Sequence, residues 1–486
     1  MNESITKLYA FILFLFVLLI AFTSNWTVFA QDDLENQTVN QRPRLEQQRI
    51  KRGEIRSVDG ELLAVSRPHG EGDSKIYTRD YPQGELFGNP VGYDFITEGR
   101  TGIERSENDF LVGAQNEFSS ILDQLQGETQ EGSDLTTTLN ASAQQVAVDQ
   151  LAGRPGSVVA IEPQTGAVRV MASTPGFDPN TINDPGVLDE LDALPADQPS
   201  VLLNRATQGL YPPGSTMKLV TAAAAIDSGE FTPDSVLSGK TGIRISGVPL
   251  DNAGGETFGD VDLTYALTHS INTVWAQVAE QLGPETMVEY MKRFGFYKVP
   301  ELDYPDDQMI VSGPRNADGE LVESGFDVGR VGIGQGGAEG EMQVAPLQMG
   351  EVVAAIANGG KLMKPTFLQQ VTDPDGRVTD ELDPEEQDQV ISEESAQQLT
   401  EMMLNVTQDP EGTAGGFTVN GESFPGKTGT AERNIELGIN QPWFVMFAPA
   451  EDPQIAVAAT VESCQGCTGG STAAPIAQAV AEALLG

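Results

Sequence analysis

Three short groups along this chain carry side chains whose types and spacing could do acyl-transfer chemistry. Ser215 and Lys218 stand three apart in Ser215-Thr216-Met217-Lys218, so a helix would bring both to one face. A serine hydroxyl needs a base at neutral pH, and a lysine can serve if burial favours its neutral form. A helix start adds a partial positive field that favours a developing anion. Ser270-Ile271-Asn272 offers a second hydroxyl and an amide, and Lys427-Thr428-Gly429-Thr430 a second lysine beside two hydroxyls. Ser-x-x-Lys alone is a weak signal, expected by chance about once in a chain of this length. Its weight depends on whether the other two groups reach the same place.

Hydrophobic pattern shows which elements must bring them there. Residues 215–226 are rich in Ala and free of breakers, which predicts a buried helix starting near Ser215. Two helical patterns, 263–269 and 273–282, put Ser270-Ile271-Asn272 in the turn between them. Residues 157–161 and 167–172 flank Glu162-Pro163-Gln164-Thr165-Gly166 as a hairpin. Residues 443–448 and 455–461 read as two more strands, preceded by the Lys427 group, and a small-residue helix over 474–485 follows. Strands on both sides of a mostly helical middle predict an α+β fold, an antiparallel sheet covered by helices. Upstream, Arg52-Gly53-Glu54-Ile55 and 59–64 predict two short strands joined by a glycine turn, and residues 65–150 a loop-rich α+β region.

Composition narrows the function. The chain has 486 residues, 71 Asp plus Glu against 28 Lys plus Arg, and a net charge of −43. Nucleic acid is therefore not an expected partner, because phosphate binding needs a basic footprint. With two His and two Cys, neither a metal centre nor a histidine-based mechanism is expected. His269 adjoins Ser270, but neighbours on a helix do not face each other, so it is read as packing or exposed. Cys464 and Cys467 lie in a segment expected to be exported, where a small loop disulfide is the preferred reading over a redox pair or free thiols.

The N-terminus is apolar without interruption from residue 8 to 22 and largely so to residue 30. Counted to 30 it spans a bilayer; counted to 22 it has the size of a signal-peptide core. Either way residues 31–486 are exported, and the anchor reading leaves residues 1–7 as a cytoplasmic tail. Arg42, Arg44, Arg49, Lys51, Arg52 and Arg56 concentrate basic charge beyond it, read as a solvated lead into a stalk or a contact with anionic headgroups. Two decoys are set aside. Lys240-Thr241-Gly242 comes before Ser270 and lacks a following strand pair. Residues 421–428 match the phosphate-loop pattern but are followed by Gly429, Gly438 and Pro442 rather than by a helix.

In order and spacing, the three groups resemble the Ser-x-x-Lys, Ser-Asp-Asn and Lys-Thr-Gly signature of penicillin-binding proteins and class A β-lactamases, with Ile271 in place of Asp. Tyr211-Pro212-Pro213-Gly214-Ser215-Thr216-Met217-Lys218 resembles the nucleophile motif of class B penicillin-binding proteins, most closely the actinobacterial penicillin-binding protein A group. Residues 424–432 resemble their strand motif, Arg52-Gly53-Glu54-Ile55 the membrane-proximal one, and 101–105 with 111–113 the pedestal segment. The resemblance implies an anchor at 8–30, a stalk or pedestal (dimerisation-like) domain at 31–152, and a transpeptidase domain at 153–486 with a five-stranded antiparallel sheet between helices. It implies Ser215 as nucleophile, Lys218 as base, and Ser270 as proton relay. Asn272 would hold the substrate backbone, Lys427 would set the electrostatics and help bind the substrate carboxylate, and Thr428 and Thr430 would supply hydrogen bonds, with Gly429 beside them in the substrate-binding group. The N–H groups of Ser215 and Thr430 would form the oxyanion hole. The implied donor is the D-Ala-D-Ala end of a peptidoglycan stem peptide, the acceptor a neighbouring amine, and the inhibitors β-lactams, with no cofactor. A membrane glycosyltransferase of the elongation or division machinery is the implied protein partner. The alternatives are a D,D-carboxypeptidase or β-lactamase-like hydrolase, and a non-catalytic cell-wall scaffold.

Overall fold

A strand buried on both faces sends alternate side chains into separate cores. Residues 443–448 do this: Trp443, Val445 and Phe447 enter one core, Phe444, Met446 and Ala448 the other. Residues 158–161 divide the same way, with Val159 and Ile161 opposite Val158 and Ala160. A computed structural model of the chain describes residues 3–24, 48–71, 75–113, 131–195, 198–337, 340–434 and 437–486. Its central sheet is built from β1 (Gly156–Ile161), β2 (Val168–Thr174), β3 (Gly426–Asn434), β4 (Ile439–Ala448) and β5 (Ile455–Val461). The spatial order is β3-β4-β5-β1-β2, antiparallel throughout, and the short strand Cys464–Gln465 pairs beside β4. Pro346–Ala357 covers one face, and Ala141–Leu151 with Ala474–Leu485 the other. The expected sheet between helices is present, and β3 forms its open edge.

The N-terminal unit has its own sheet. Ile55–Arg56 pairs antiparallel with Leu62–His69, as the motif predicts, across a turn in which Gly60 takes a φ of 92°. The full order is Val378–Glu381, Leu368–Thr372, Asp134–Thr137, Ile55–Arg56, Leu62–His69, Ile76–Asp80. Two of these strands come from residues 368–381, far beyond the expected division at 152/153. Ala141–Leu151, on the N-terminal side of that division, instead packs on the central sheet. The N-terminal helix Glu3–Ser24 contains an 18-residue apolar stretch, Lys7–Ser24, of mean hydropathy 2.2, with none of it buried against the rest. At 1.5 Å per residue that stretch is about 27 Å long, enough to cross a membrane. Residues 25–30 of the expected anchor, and Arg42 and Arg44 of the basic cluster, lie outside the described residues.

Two local expectations need correction. The helix expected near Ser215 opens with a 3₁₀ turn, Gly214–Met217, and becomes α-helical at Lys218 as α1 (Lys218–Asp227). Gly214, at φ 54°, lies so close to β3 that a Cβ would sit 3.0 Å from the Ala431 nitrogen, and the tight turn permits that approach. The Lys427 group precedes β4 and β5, as expected, but it lies within a further strand, β3, and Pro442 lies inside β4 rather than interrupting the segment before it. The missing N–H of Pro442 falls on the side facing β5, and there Thr460 Oγ1 donates to its carbonyl at 3.0 Å.

Candidate active site

α2 (Leu263–Thr268) and α3 (Asn272–Arg293) leave three residues between them, and Ser270 makes the bend at φ 56°. A non-glycine residue in that region carries a local strain of order 1 kcal/mol. Asp262 caps α2 by accepting from the Tyr265 N–H at 2.7 Å. The bend points Ser270 and Asn272 at α1, so the structure brings all three sequence groups together. Lys218 Nζ lies 2.9 Å from Ser215 Oγ, 2.7 Å from the Ser270 carbonyl, 3.2 Å from Ser270 Oγ and 2.7 Å from Asn272 Oδ1. Lys427 Nζ reaches the same Ser270 Oγ at 2.9 Å and the Thr428 carbonyl at 3.1 Å. The Ser270 hydroxyl thus bridges the two lysines.

Burial sorts these groups. Ser215, Ser270, Asn272 and Thr430 are partly open to solvent, whereas both lysines are wholly buried behind them. Among the described residues neither lysine has a carboxylate within ion-pair distance. Burial, and then the charge of Lys427, holds Lys218 well below the ordinary lysine range; burial brings Lys427 down to about 7. A neutral Lys218 has two N–H bonds and one lone pair. The Ser270 carbonyl and Asn272 Oδ1 can only accept, so they take both N–H groups. The lone pair is then left facing Ser215, whose hydroxyl can donate to it. Asn272 Nδ2 donates to the Asp251 carbonyl at 3.3 Å, which fixes the amide with its oxygen toward Lys218.

The edge strand supplies backbone groups. Phe447 N–H donates to the Pro425 carbonyl, so the odd residues of β4 face β3 and Pro442 faces away. Thr430 pairs with Pro442, and its N–H therefore points out of the sheet toward the turn that carries Ser215. That turn is held in place by Gly214 N–H donating to Gly334 O at 2.9 Å and by Trp443 Nε1 donating to Pro212 O at 3.0 Å. Gly334 leaves no room for a side chain: a Cβ there would lie 2.0 Å from the Gly214 oxygen.

Other residues fall as follows. Thr428 Oγ1 donates to Thr413 Oγ1 at 2.7 Å, and Gly429 packs against the Pro213 oxygen. His269 lies against the Tyr265 ring, 4.0 Å between centroids. Lys240 is exposed, in a turn before a separate hairpin. Lys427 and Thr428 sit in mid-strand with no helix after them, so the phosphate-loop geometry is missing. Cys464 and Cys467 are paired. Sequence reasoning overlooked Thr413, Gly334, Trp443 and Glu462, the last of which accepts from Tyr211 Oη. Only Gly334 had a signal, the glycine-rich run 332–337.

Residues 156–482 match the family described as penicillin binding protein transpeptidase domain, and residues 52–135 the penicillin binding protein A dimerisation domain. The chain belongs to the penicillin-binding protein transpeptidase family. It is 32% identical to the peptidoglycan D,D-transpeptidase PbpA of Mycolicibacterium smegmatis, over all of this chain and 99% of that one. Penicillin-binding protein A from M. tuberculosis, solved as a ceftriaxone acyl-enzyme complex, superposes with a TM-score of 0.78 at 30% identity, covering 91% of this chain and 100% of that chain. The D,D-transpeptidase domain of a peptidoglycan glycosyltransferase from Eggerthella lenta gives 0.75 at 31%, covering 90% and 97%.

Proposed function

We propose that the chain is a peptidoglycan D,D-transpeptidase working through an acyl-enzyme on Ser215. The observation that carries this is the buried Lys218 amine, 2.9 Å from Ser215 Oγ and, among the described residues, unpaired by any carboxylate. Lys218 takes the hydroxyl proton as Ser215 Oγ attacks the carbonyl of the penultimate D-Ala. The N–H groups of Ser215 and Thr430 hold the resulting oxyanion, a donor of this kind being worth about 10²–10³ in rate. Collapse breaks the C–N bond, and the proton passes from Lys218 through Ser270 Oγ to the departing D-Ala amine. An amine of a neighbouring stem then attacks the ester and the steps run in reverse, releasing Ser215. Lys427, with Thr428 and Thr430, binds the terminal carboxylate, and Asn272 aligns the peptide backbone. β-Lactams enter the same path and stop at the ester.

The same reading makes residues 8–30 a single-pass anchor in the lipid bilayer, with the bulk of the chain extracytoplasmic. The pedestal (31–152) carries the transpeptidase domain (153–486), and segments 141–151 and 368–381 are exchanged between them. A membrane glycosyltransferase would supply the strands to be cross-linked. Intact mass after exposure to a penicillin tests the chemistry: one stable adduct on Ser215, lost over hours, is expected. Rapid turnover of penicillin would move the chain to the hydrolase class, and no adduct would leave it a scaffold.

A further inference from the structure

Residues 462–469 take no part in the steps above, yet they touch both sides of the reaction centre. At one end Glu462 accepts from Tyr211 Oη, and its other oxygen lies 3.4 Å from the buried Arg205 Nε. Tyr211 opens the turn that ends in Ser215, and its ring packs edge-on against Trp443, which holds the Pro212 carbonyl. At the other end the Gly469 N–H donates to Thr430 Oγ1 at 3.1 Å. Gly469 is pressed against the paired strands β3 and β4 so closely that a Cβ would lie 2.3 Å from the Trp443 oxygen and 2.6 Å from the Gly429 oxygen. Between these ends the segment is tied to the β3–β4 hairpin. Cys464 and Gln465 pair with Asn440 and Ile439, Gly466 N–H donates to Gly438 O at 3.0 Å, and Asn440 Nδ2 to Cys467 O at 2.9 Å. The Cys464–Cys467 bridge closes the loop immediately before Thr468 and Gly469.

We propose that the disulfide-tied segment 462–469 is a positioning clasp that sets the spacing between the Ser215 turn and the Thr430 edge, and so the geometry of the two oxyanion donors. A cross-link removes conformations from a loop whose ends must both stay docked. Without it, Gly469 is free to leave Thr430 while Glu462 still holds Tyr211, and the two donors lose their fixed separation. Donors in an oxyanion hole act through preorganisation, so loosening them slows the chemical step without weakening the initial encounter. The clasp rests on the roles given above to the Ser215 and Thr430 N–H groups.

The test is stopped-flow acylation of the full-length chain in detergent by a fluorescent penicillin, separating the dissociation constant of the first complex from the acylation rate constant. Two variants are compared with the parent: the double substitution Cys464→Ser, Cys467→Ser, and Gly469→Ala, which keeps the bridge but blocks the approach. In both, the acylation constant should fall about tenfold or more while the first complex changes less than twofold. Reducing the parent with a phosphine, which becomes its oxide as the bridge becomes two thiols, should give the same loss once the reductant is removed, and reoxidation should restore the rate. Should the serine variant not fold, Gly469→Ala decides. Acylation constants within twofold of the parent, with only a lower melting temperature, would overturn the clasp and leave the bridge as a staple. An adduct on a residue other than Ser215 would instead overturn the nucleophile assignment.

Discussion

In the pedestal, fully buried Glu104 has Arg52 Nε 2.7 Å from one carboxylate oxygen and Arg79 Nε 2.5 Å from the other. Asp94 joins the same group, 3.5 Å from Arg52 and 2.6 Å from Arg100. Burial would raise the Asp94 carboxyl, but Arg52 and then Arg100 outweigh it and hold it below the usual range. In the cleft, Lys218 and Lys427 are buried as deeply, and a serine hydroxyl stands between them instead of a carboxylate. One region buries opposite charges that hold each other ionised. The other buries two lysines, each made less basic by burial, and the charge of Lys427 lowers Lys218 further. A compensated network fixes structure, whereas an uncompensated pair produces a base at neutral pH, at the expense of stability.

The largest change expected is at the nucleophile. Ser215→Ala should eliminate the penicillin adduct by intact mass, and Lys218→Arg should slow acylation by about 10³-fold, since arginine keeps the charge but cannot become a neutral base. Normal acylation by the arginine variant would end the case for Lys218. Glu104→Gln should leave the buried Arg79 guanidinium without its counter-charge and Arg52 with Asp94 alone, and should cost about 3–5 kcal/mol of stability, read by denaturant unfolding. The acylation constant of the molecules still folded should be unchanged, and a matching loss would mean that the two regions are not separable.

Lys427→Met should do the reverse, removing acylation while raising stability. The folded-state pKa of Lys427, about 7, is below the ordinary lysine value. Between those two values the unfolded chain binds more protons, so the penalty is full below about pH 7 and is relieved as pH rises to the lysine range. The gain at pH 6 should be on the order of 2–4 kcal/mol and should vanish near pH 10.5; a destabilised variant at pH 6 would refute the uncompensated-charge account. The same shifts give acylation a bell-shaped pH profile. It rises as Lys218 loses its proton and falls above about 7 as Lys427 does. Lys427→Arg should flatten the falling limb, and a limb that stays in place would assign it to another group. The smallest effect is the field of the whole chain. A net charge of −43 should make the melting temperature rise by a few degrees between dilute buffer and about 1 M salt, and a flat response would show that the local networks dominate.

Much of this was legible in the residues. Alternating and continuous apolar runs marked β1, β2, β4 and β5, and the Ala474–Leu485 helix was placed to the residue, because no neighbour competes with patterns that strong. The strand holding Lys427 was not legible from pattern, since Gly426 to Asn434 is polar and glycine-rich and is held in the sheet by its ladder to β4. Pro442 looked like a break because the side its missing N–H would face is a matter of register. Glu462 and Thr413 carry no local signal at all.

Sequence by itself determined which side chains could react: one hydroxyl with a lysine three residues on, a second hydroxyl with an amide, and a second lysine beside threonines, in a chain too poor in histidine for the usual base. Residue type and short spacing are local properties, and they suffice for that. Only the tertiary structure decided that groups 52 and 157 residues apart along the chain share one hydroxyl, and that both lysines are buried with no counter-charge among the described residues. It also sent residues 368–381 back to complete the pedestal sheet. Desolvation and the pairing of distant strands depend on what surrounds a residue in space, and the packed chain alone supplies those surroundings.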